Sequence, residues 1–329
     1  MITVMTRSDG WFSQILRRNF WLATVVMVHW AATVLIMKSL NMPYENNAIG
    51  MLMSLFGTLI PVYLMMLLLW RVGHMIFFVR PARPLRWLIS DIRQVVWDRD
   101  RLADGAVTLL LLSIFFTNFS TLKTLIPHMN AYAWDHAMAH LDHVIHGGHD
   151  PWSLLMPLFG SPAALAVLDG TYVLWLFILY FVVFIACFTR SDPQTRQVFL
   201  LSFVLVWTLG GTIFATQFAS VGPAFYEHFN LGNQYEPLMT HLRAANDVHP
   251  INSLNVQKML WDGYAAGQPV SGISAFPSMH VASSVLLALY AFSHSRVFGV
   301  ILGIFAAMVM VASVMLGWHY AVDGYFSVL

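Results

Sequence analysis

The sequence predicts an all-α protein, a polytopic transmembrane helical bundle, and three observations carry that class. Hydrophobic residues make up 58% of the chain and charged residues 10%, whereas a soluble domain holds about 25% charged residues. Mean hydropathy is +0.66. Apolar runs near the roughly 20 residues needed to span a bilayer recur from end to end.

In order, the first run is Phe20–Met37, preceded by Arg17 and Arg18 and followed by no small-residue cleavage pattern, so it reads as a helix rather than a removed signal. Ala48–Trp70 is the second, with Pro61 as a tolerated kink. Within the basic stretch 71–105, Leu85–Trp97 has apolar residues at helical spacing with arginines between them, the pattern of a helix lying on the membrane surface. Ala106–Ile126 is the third span. A polar, His-rich segment, 128–161, follows. Ala163–Phe188 is the fourth span and carries Asp169; Val198–Ser220 is the fifth, with Gly210 and Gly211 allowing close packing. Residues 222–271 read as a long polar loop. Val281–Phe292 and Val297–Leu316 are the sixth and seventh, and an eighth starts near His319. Its remaining residues reach about 16 Å at 1.5 Å each, short of a hydrocarbon core of about 30 Å, so the last helix is expected to be incomplete. The chain divides into N-terminal helices with a basic segment, 1–105, and a catalytic transmembrane core, 106–329, with polar segments at 128–161 and 222–271.

Composition narrows the function. The single cysteine, Cys187, rules out an intramolecular disulfide, and a net charge of +1 makes no case for a nucleic-acid partner. With the N-terminus inside, thirteen of the seventeen Lys and Arg residues fall on cytoplasmic flanks: Arg7, Arg17, Arg18, the seven arginines from Arg71 to Arg101, Arg190, Arg196 and Arg296. Lys38, Lys123, Arg243 and Lys258 fall outside. This positive-inside bias places the polar clusters of the last stretch, from Gly272 onward, on the extracytoplasmic or lumenal side.

Those clusters are Pro277-Ser278-Met279-His280 and His319-Tyr320-Ala321-Val322-Asp323. They flank two consecutive antiparallel spans and so meet at one membrane face. His319 and Asp323, at i and i+4, share a helix face there. The carboxylate can hold one ring nitrogen while the other attacks phosphorus. His280 can protonate the leaving oxygen, which requires the two rings within about 8 Å of each other. Ser278 and the amides opening the sixth helix can bind phosphoryl oxygens.

GISAFPSMHVA followed by SVMLGWHYAVDGY resembles the type 2 phosphatidic acid phosphatase superfamily, and in particular its branch containing the inositolphosphorylceramide synthases. Pro277, Ser278 and His280 match the Pro-Ser-x-His motif. His319 and Asp323 match the second half of the Ser-Arg-x5-His-x3-Asp motif. The resemblance implies a six-helix catalytic core with His319 as nucleophile, Asp323 as its partner and His280 as acid. Two departures stand out. Ala312 and Ser313 occupy the Ser-Arg positions, leaving Ser313 where an arginine would bind phosphate. The Lys-x6-Arg-Pro motif is absent, since Arg80-Pro81 has Gly73 at the lysine position and Arg83-Pro84 has Ile76. The branch relaxes these cationic motifs. Arg243 and Lys258, the cations of the outer loop, are the remaining candidates for phosphate binding. GPAFY, residues 222–226, resembles that branch, which makes Gly222, Pro223 and Tyr226 the candidate substrate-binding residues, and LDHVIHGGHDPW, residues 141–152, resembles the branch too.

Plainer readings stand beside these. A membrane-edge histidine is often just an interface residue, and Asp323 can cap a helix. Gly222-Pro223 can serve only as a turn. Asp169 reads as a structural partner within the bundle. His136, His140 and His143 share a face, with Asp135 and Asp142 nearby, but no recognised zinc spacing is present; a His-rich interfacial helix is expected and no metal. The expected activity is transfer of a phosphorylated, phosphoinositol-like head group from a membrane phospholipid to a lipid hydroxyl acceptor through a phosphohistidine, with no cofactor. The alternatives are a lipid phosphate phosphatase and a non-catalytic lipid-binding protein. The second has no need of nucleophile, acid and orienter together.

Overall fold

The computed structural model describes residues 11–44, 48–190, 192–268 and 273–329. Arg7 and the first residue of the terminal stretch, Gly272, lie outside them. Every regular element among the described residues is helical. The helices are α1 (Trp11–Ser39), α2 (Ala48–His74), α3 (Pro84–Val96), α4 (Arg99–Met129), α5 (Asp135–Ile145), α6 (Pro151–Phe159) and α7 (Pro162–Phe188). They continue with α8 (Pro193–Thr208), α9 (Ala215–Gln217), α10 (Glu236–Asn246), α11 (Asn252–Ala265), α12 (Met279–His294), α13 (Arg296–Met315) and α14 (Ala321–Val328). Wide π-helical turns extend α2 over Met75–Val79 and join α8 to α9 over Leu209–Phe214. Prolines open α3, α6, α7 and α8. Proline suits the first helical position because its φ is preset and no amide hydrogen is needed there.

The chain is an integral membrane protein: among the described residues six helices are long and apolar enough to cross a bilayer, within α1, α2, α4, α7, the α8–α9 run and α13. The predicted sixth span is α12, at 16 residues shorter than these. Over its described residues, 222–268, the predicted polar loop carries two helices instead, α10 and α11. Both open near a turn-forming residue, with Pro237 in the first turn of α10 and Ile251 preceded by Pro250 before α11. The His-rich segment likewise folds as α5 and α6.

The chain forms two compact units. One comprises Met1–Thr117 with Tyr180–Leu201. Its interior holds a buried polar network: Asn19 donates to Asp104, Thr108 donates to Asn19 at 2.9 Å, and Arg196 donates to Thr108 at 2.6 Å and pairs with Asp104 at 3.5 Å. Arg196 is therefore not a free flanking cation but a buried, compensated one.

The other unit, Asn118–Leu179 with Ser202–Leu329, contains both polar clusters. One part of its core gathers Met138, Ala139, Tyr226, Tyr235, Phe276, Tyr320 and Val322. A second gathers Val221, Ala224, Phe225 and Ile273, with Trp318 against it. The Gly210-Gly211 pair does admit close packing, for a Cβ on Gly211 would strike Phe119.

Candidate active site

Local helix-ending chemistry places His319. α13 ends at Met315 and is capped by Leu316, and Gly317 beyond the cap has φ +73°, a left-handed conformation that glycine adopts without strain. The Trp318 amide then donates to the Ser313 carbonyl at 3.0 Å and the Gly317 amide to that of Val314 at 3.1 Å, the double bond of a Schellman stop. The His319 amide joins Trp318 on the Ser313 carbonyl at 3.1 Å. Immediately afterwards Tyr320 opens α14 as its N-cap, and Asp323 reaches back to accept the Tyr320 amide at 3.0 Å. His319 therefore sits between a helix stop and a helix start, not on a helix. The expectation that it shares a helix face with Asp323 is corrected: the capping box brings the pair together, with Asp323 Oδ2 3.4 Å from His319 Nδ1. The Ala275 backbone also lies within reach of the ring. Burial pushes the His319 imidazole down to about 3, because a charged ring would lose its hydration.

His280 lies in the first turn of α12, whose N-cap is Ser278. Aromatic walls hold its ring. Tyr172 stacks on it at 4.2 Å between centroids, and Trp175 lies at 3.9 Å. Trp175 is itself fixed, since its indole donates to Ser283 at 2.9 Å. The His280 and His319 rings are 6.1 Å apart at 60°. The Ser278 amide donates to the Asp323 carbonyl at 3.3 Å, joining the two clusters through the backbone.

Two carboxylates of α5 hold this arrangement from behind. Asp135 accepts the amides of Val221 and Gly222 and the hydroxyl of Tyr320, the last at 2.7 Å. Asp142 accepts the amides of Ala321 and Val322, both at 2.8 Å. Burial pushes Asp142 up to about 6, against the pull of those two amides. Asp169 does the same for α11, accepting the amides of Asn252 and Ser253. Its partner is a helix start, where four amides lack intrahelical acceptors.

The other predicted residues fall as follows. Ser278 is fully buried, with its hydroxyl unpartnered. The Ser313 hydroxyl donates to Met310 at 2.7 Å, so what Ser313 gives the cluster is its carbonyl. Gly222 has φ +88°, and a Cβ there would come 2.7 Å from the Trp318 carbonyl oxygen. The chain next to His319 thus needs glycine at this point. Pro223, Tyr226, Arg243 and Lys258 line one cavity of about 810 Å³, whose lining includes none of His280, His319, Asp323 and Ser278. Arg243 pairs with Glu236 and Lys258 with Asp262, each at 2.7 Å, with side chains 56% and 74% exposed. They are therefore not brought to the imidazole pair. The His-rich face serves separate contacts: His136 bonds Tyr226, and His146 bonds Tyr325. No metal-holding cluster occurs among the described residues.

Asp135, Asp142, Tyr172 and Trp175 were not singled out from sequence for these contacts. Only the spacing of LDHVIHGGHDPW hinted at Asp142. A family model described as PAP2 superfamily matches residues 136–328. No curated protein and no solved structure matches the chain.

Proposed function

Since the chain belongs to the PAP2 superfamily, a superfamily of phosphatases and phosphotransferases, we propose that it transfers a phosphorylated, phosphoinositol-like head group between membrane lipids. The observation that carries the reading is the pair of buried imidazoles at 6.1 Å with a carboxylate behind one of them.

The steps follow from that geometry. A neutral nitrogen of His319 attacks the phosphorus of a diester phospholipid. The bond from phosphorus to the diacylglycerol oxygen breaks as the P–N bond forms, and His280 gives that oxygen its proton. Asp323 stabilises the cationic ring of the phosphohistidine. The acceptor lipid's hydroxyl then loses its proton to His280 and attacks phosphorus, and the P–N bond breaks to regenerate His319.

Charge supports a diester donor. A phosphomonoester carries nearly two negative charges near neutral pH, and a diester one. The Ser-Arg and Lys-x6-Arg-Pro cations are missing, and Arg243 and Lys258 are engaged at the surface. The positive-inside bias supports a site on the extracytoplasmic or lumenal side.

The test is a side-by-side assay of purified protein on phosphatidate and on diester phospholipids with a hydroxylated lipid acceptor. Head-group transfer from a diester is expected. Rapid phosphate release from phosphatidate, with no transfer from any diester, would replace this reading with a phosphatase.

A further inference from the structure

Around the two imidazoles lie more polar groups than the protein itself satisfies. The hydroxyls of Ser278 and Tyr172 are buried and unpartnered, and both residues are more than nine-tenths buried. The indole nitrogen of Trp318 is buried and unpartnered as well. Ser278 caps the helix whose first turn carries His280, and the two aromatic groups neighbour the imidazoles directly. Tyr172 stacks on His280 at 4.2 Å and lies parallel to Trp318 at 6.1 Å, and Trp318 directly precedes His319. The Tyr172 hydroxyl is also within electrostatic reach of Asp323. Buried donors are almost always hydrogen-bonded, so three in one neighbourhood ask for an acceptor that is not part of the chain.

A cation accompanies them. On α4, Phe119 packs its ring on Trp207 and lies against Gly211, next to Met279. Lys123 is one turn further along α4 on the same face as Phe119. Trp207 in turn lies parallel to Trp175, which holds His280. The Lys123 ammonium acts on both imidazoles electrostatically, and it has no ion-pair partner among the described residues. An uncompensated lysine within a spanning helix is costly unless an anion visits it.

We propose that Lys123, Tyr172 and Trp318, together with Ser278, form the cradle that binds the phosphoryl oxygens of the substrate. The cation comes from α4, where no phosphate-binding spacing marks it in the sequence, and it replaces the arginine whose place Ser313 takes. One ammonium with three neutral donors matches a singly charged phosphodiester. This assignment rests on the phosphoryl-transfer reading above and names the groups that would hold the substrate at that same site.

The test uses full-length protein purified in detergent, with inorganic phosphate as the probe, followed by ³¹P NMR line broadening, and in parallel KM and kcat for head-group transfer. Loss of a charge-assisted bond in Lys123→Gln is expected to weaken phosphate binding and raise KM by about tenfold or more, while Lys123→Arg, which keeps a cation, is expected to lose less than Lys123→Gln. Tyr172→Phe and Trp318→Phe, which keep an aromatic side chain without the donor, are expected to weaken phosphate binding by a smaller factor; they carry the test if Lys123→Gln fails to fold. Phosphate affinity and KM unchanged in Lys123→Gln, or in both aromatic variants where the lysine variant does not fold, would overturn the cradle. So would a wild-type protein that binds no phosphate. Phosphate binding that depends on Lys123, in a protein that processes neither phosphatidate nor a diester, would leave the cradle standing and remove the activity.

Discussion

The hydroxyl of Tyr320 donates to Asp135 at 2.7 Å, so the residue after His319 is tied to a helix remote in sequence. The same α5 carboxylate also holds the amides of Val221 and Gly222, and Asp142 holds the two amides that follow Tyr320. The histidine is thus immobilised by contacts made to its neighbours.

Asp142→Ala should therefore destabilise the protein and disorder the start of α14. Two buried amides lose their acceptor, at a cost of about 1–3 kcal/mol each. Asp142→Asn, which keeps one carbonyl acceptor, should lose less. Thermal denaturation in detergent measures both, and equal midpoints for wild type and Asp142→Ala would contradict this role.

His319→Ala should abolish turnover and any acid-labile phosphoenzyme. Asp323→Asn should lower kcat by orders of magnitude in a folded protein, because it weakens the hold on the ring and its cationic state. His280→Ala should slow transfer most for poor leaving groups. Rapid-quench labelling with ³²P-phospholipid reads all three. Normal turnover by His319→Ala is incompatible with the mechanism.

Gly222→Ala should be costly although it adds one methyl group. With ψ 169° beside its positive φ, Gly222 sits in a region that is essentially glycine-only and costs a residue with a Cβ about 1–3 kcal/mol, and here the Cβ also meets the Trp318 carbonyl. The expected outcome is a lower melting temperature together with a drop in kcat, since the displaced carbonyl adjoins His319. Gly57→Ala, where a Cβ meets nothing, is the matched control.

The acid limb of kcat/KM should lie below the 6.5 of a free imidazole. Burial, with the Lys123 charge adding to it, lowers the His319 value to about 3. The ring accordingly stays neutral and nucleophilic as pH falls through the range where an exposed histidine would be protonated. A pH–rate profile under single-turnover conditions checks this; an acid limb above 6.5 would mean that the ring is hydrated in the working enzyme.

Cysteines introduced at exposed positions of 222–268 should react with an impermeant thiol reagent in intact cells, and those in 71–105 should not. The opposite pattern would put the site on the cytoplasmic face.

The spans and the pair of histidine motifs were legible in the sequence because both are local: long apolar runs, and fixed spacings such as His319 to Asp323. Even there the reason for the spacing was hidden, since Gly317 and Tyr320 break the helix that i, i+4 suggested. Asp135 and Asp142 could not be read as supports, because their partners are backbone amides 86 to 180 positions away. A carboxylate near histidines looks like a metal ligand until those amides are located. Arg243 and Lys258 were plausible by charge alone, but charge does not reveal that Glu236 and Asp262 stand one or two turns away to neutralise them.

The π-helical turns over Leu209–Phe214 have a consequence for how this helix can vary. Each wide turn takes an extra residue, and one residue corresponds to a rotation of about 100° along an α-helix. The face that follows is therefore offset in phase from the one before. Ala215 and Ala219 pack on Ile126, and the Thr216 carbonyl accepts Asn130 at 2.8 Å. Deleting a single residue from 209–214 would restore a regular helix and swing those partners away from α4, whereas the apolar residues of α8 would keep their phase. A frame-preserving loss of one codon here would thus act like a change of register, sparing one half of the rod and misaligning the other.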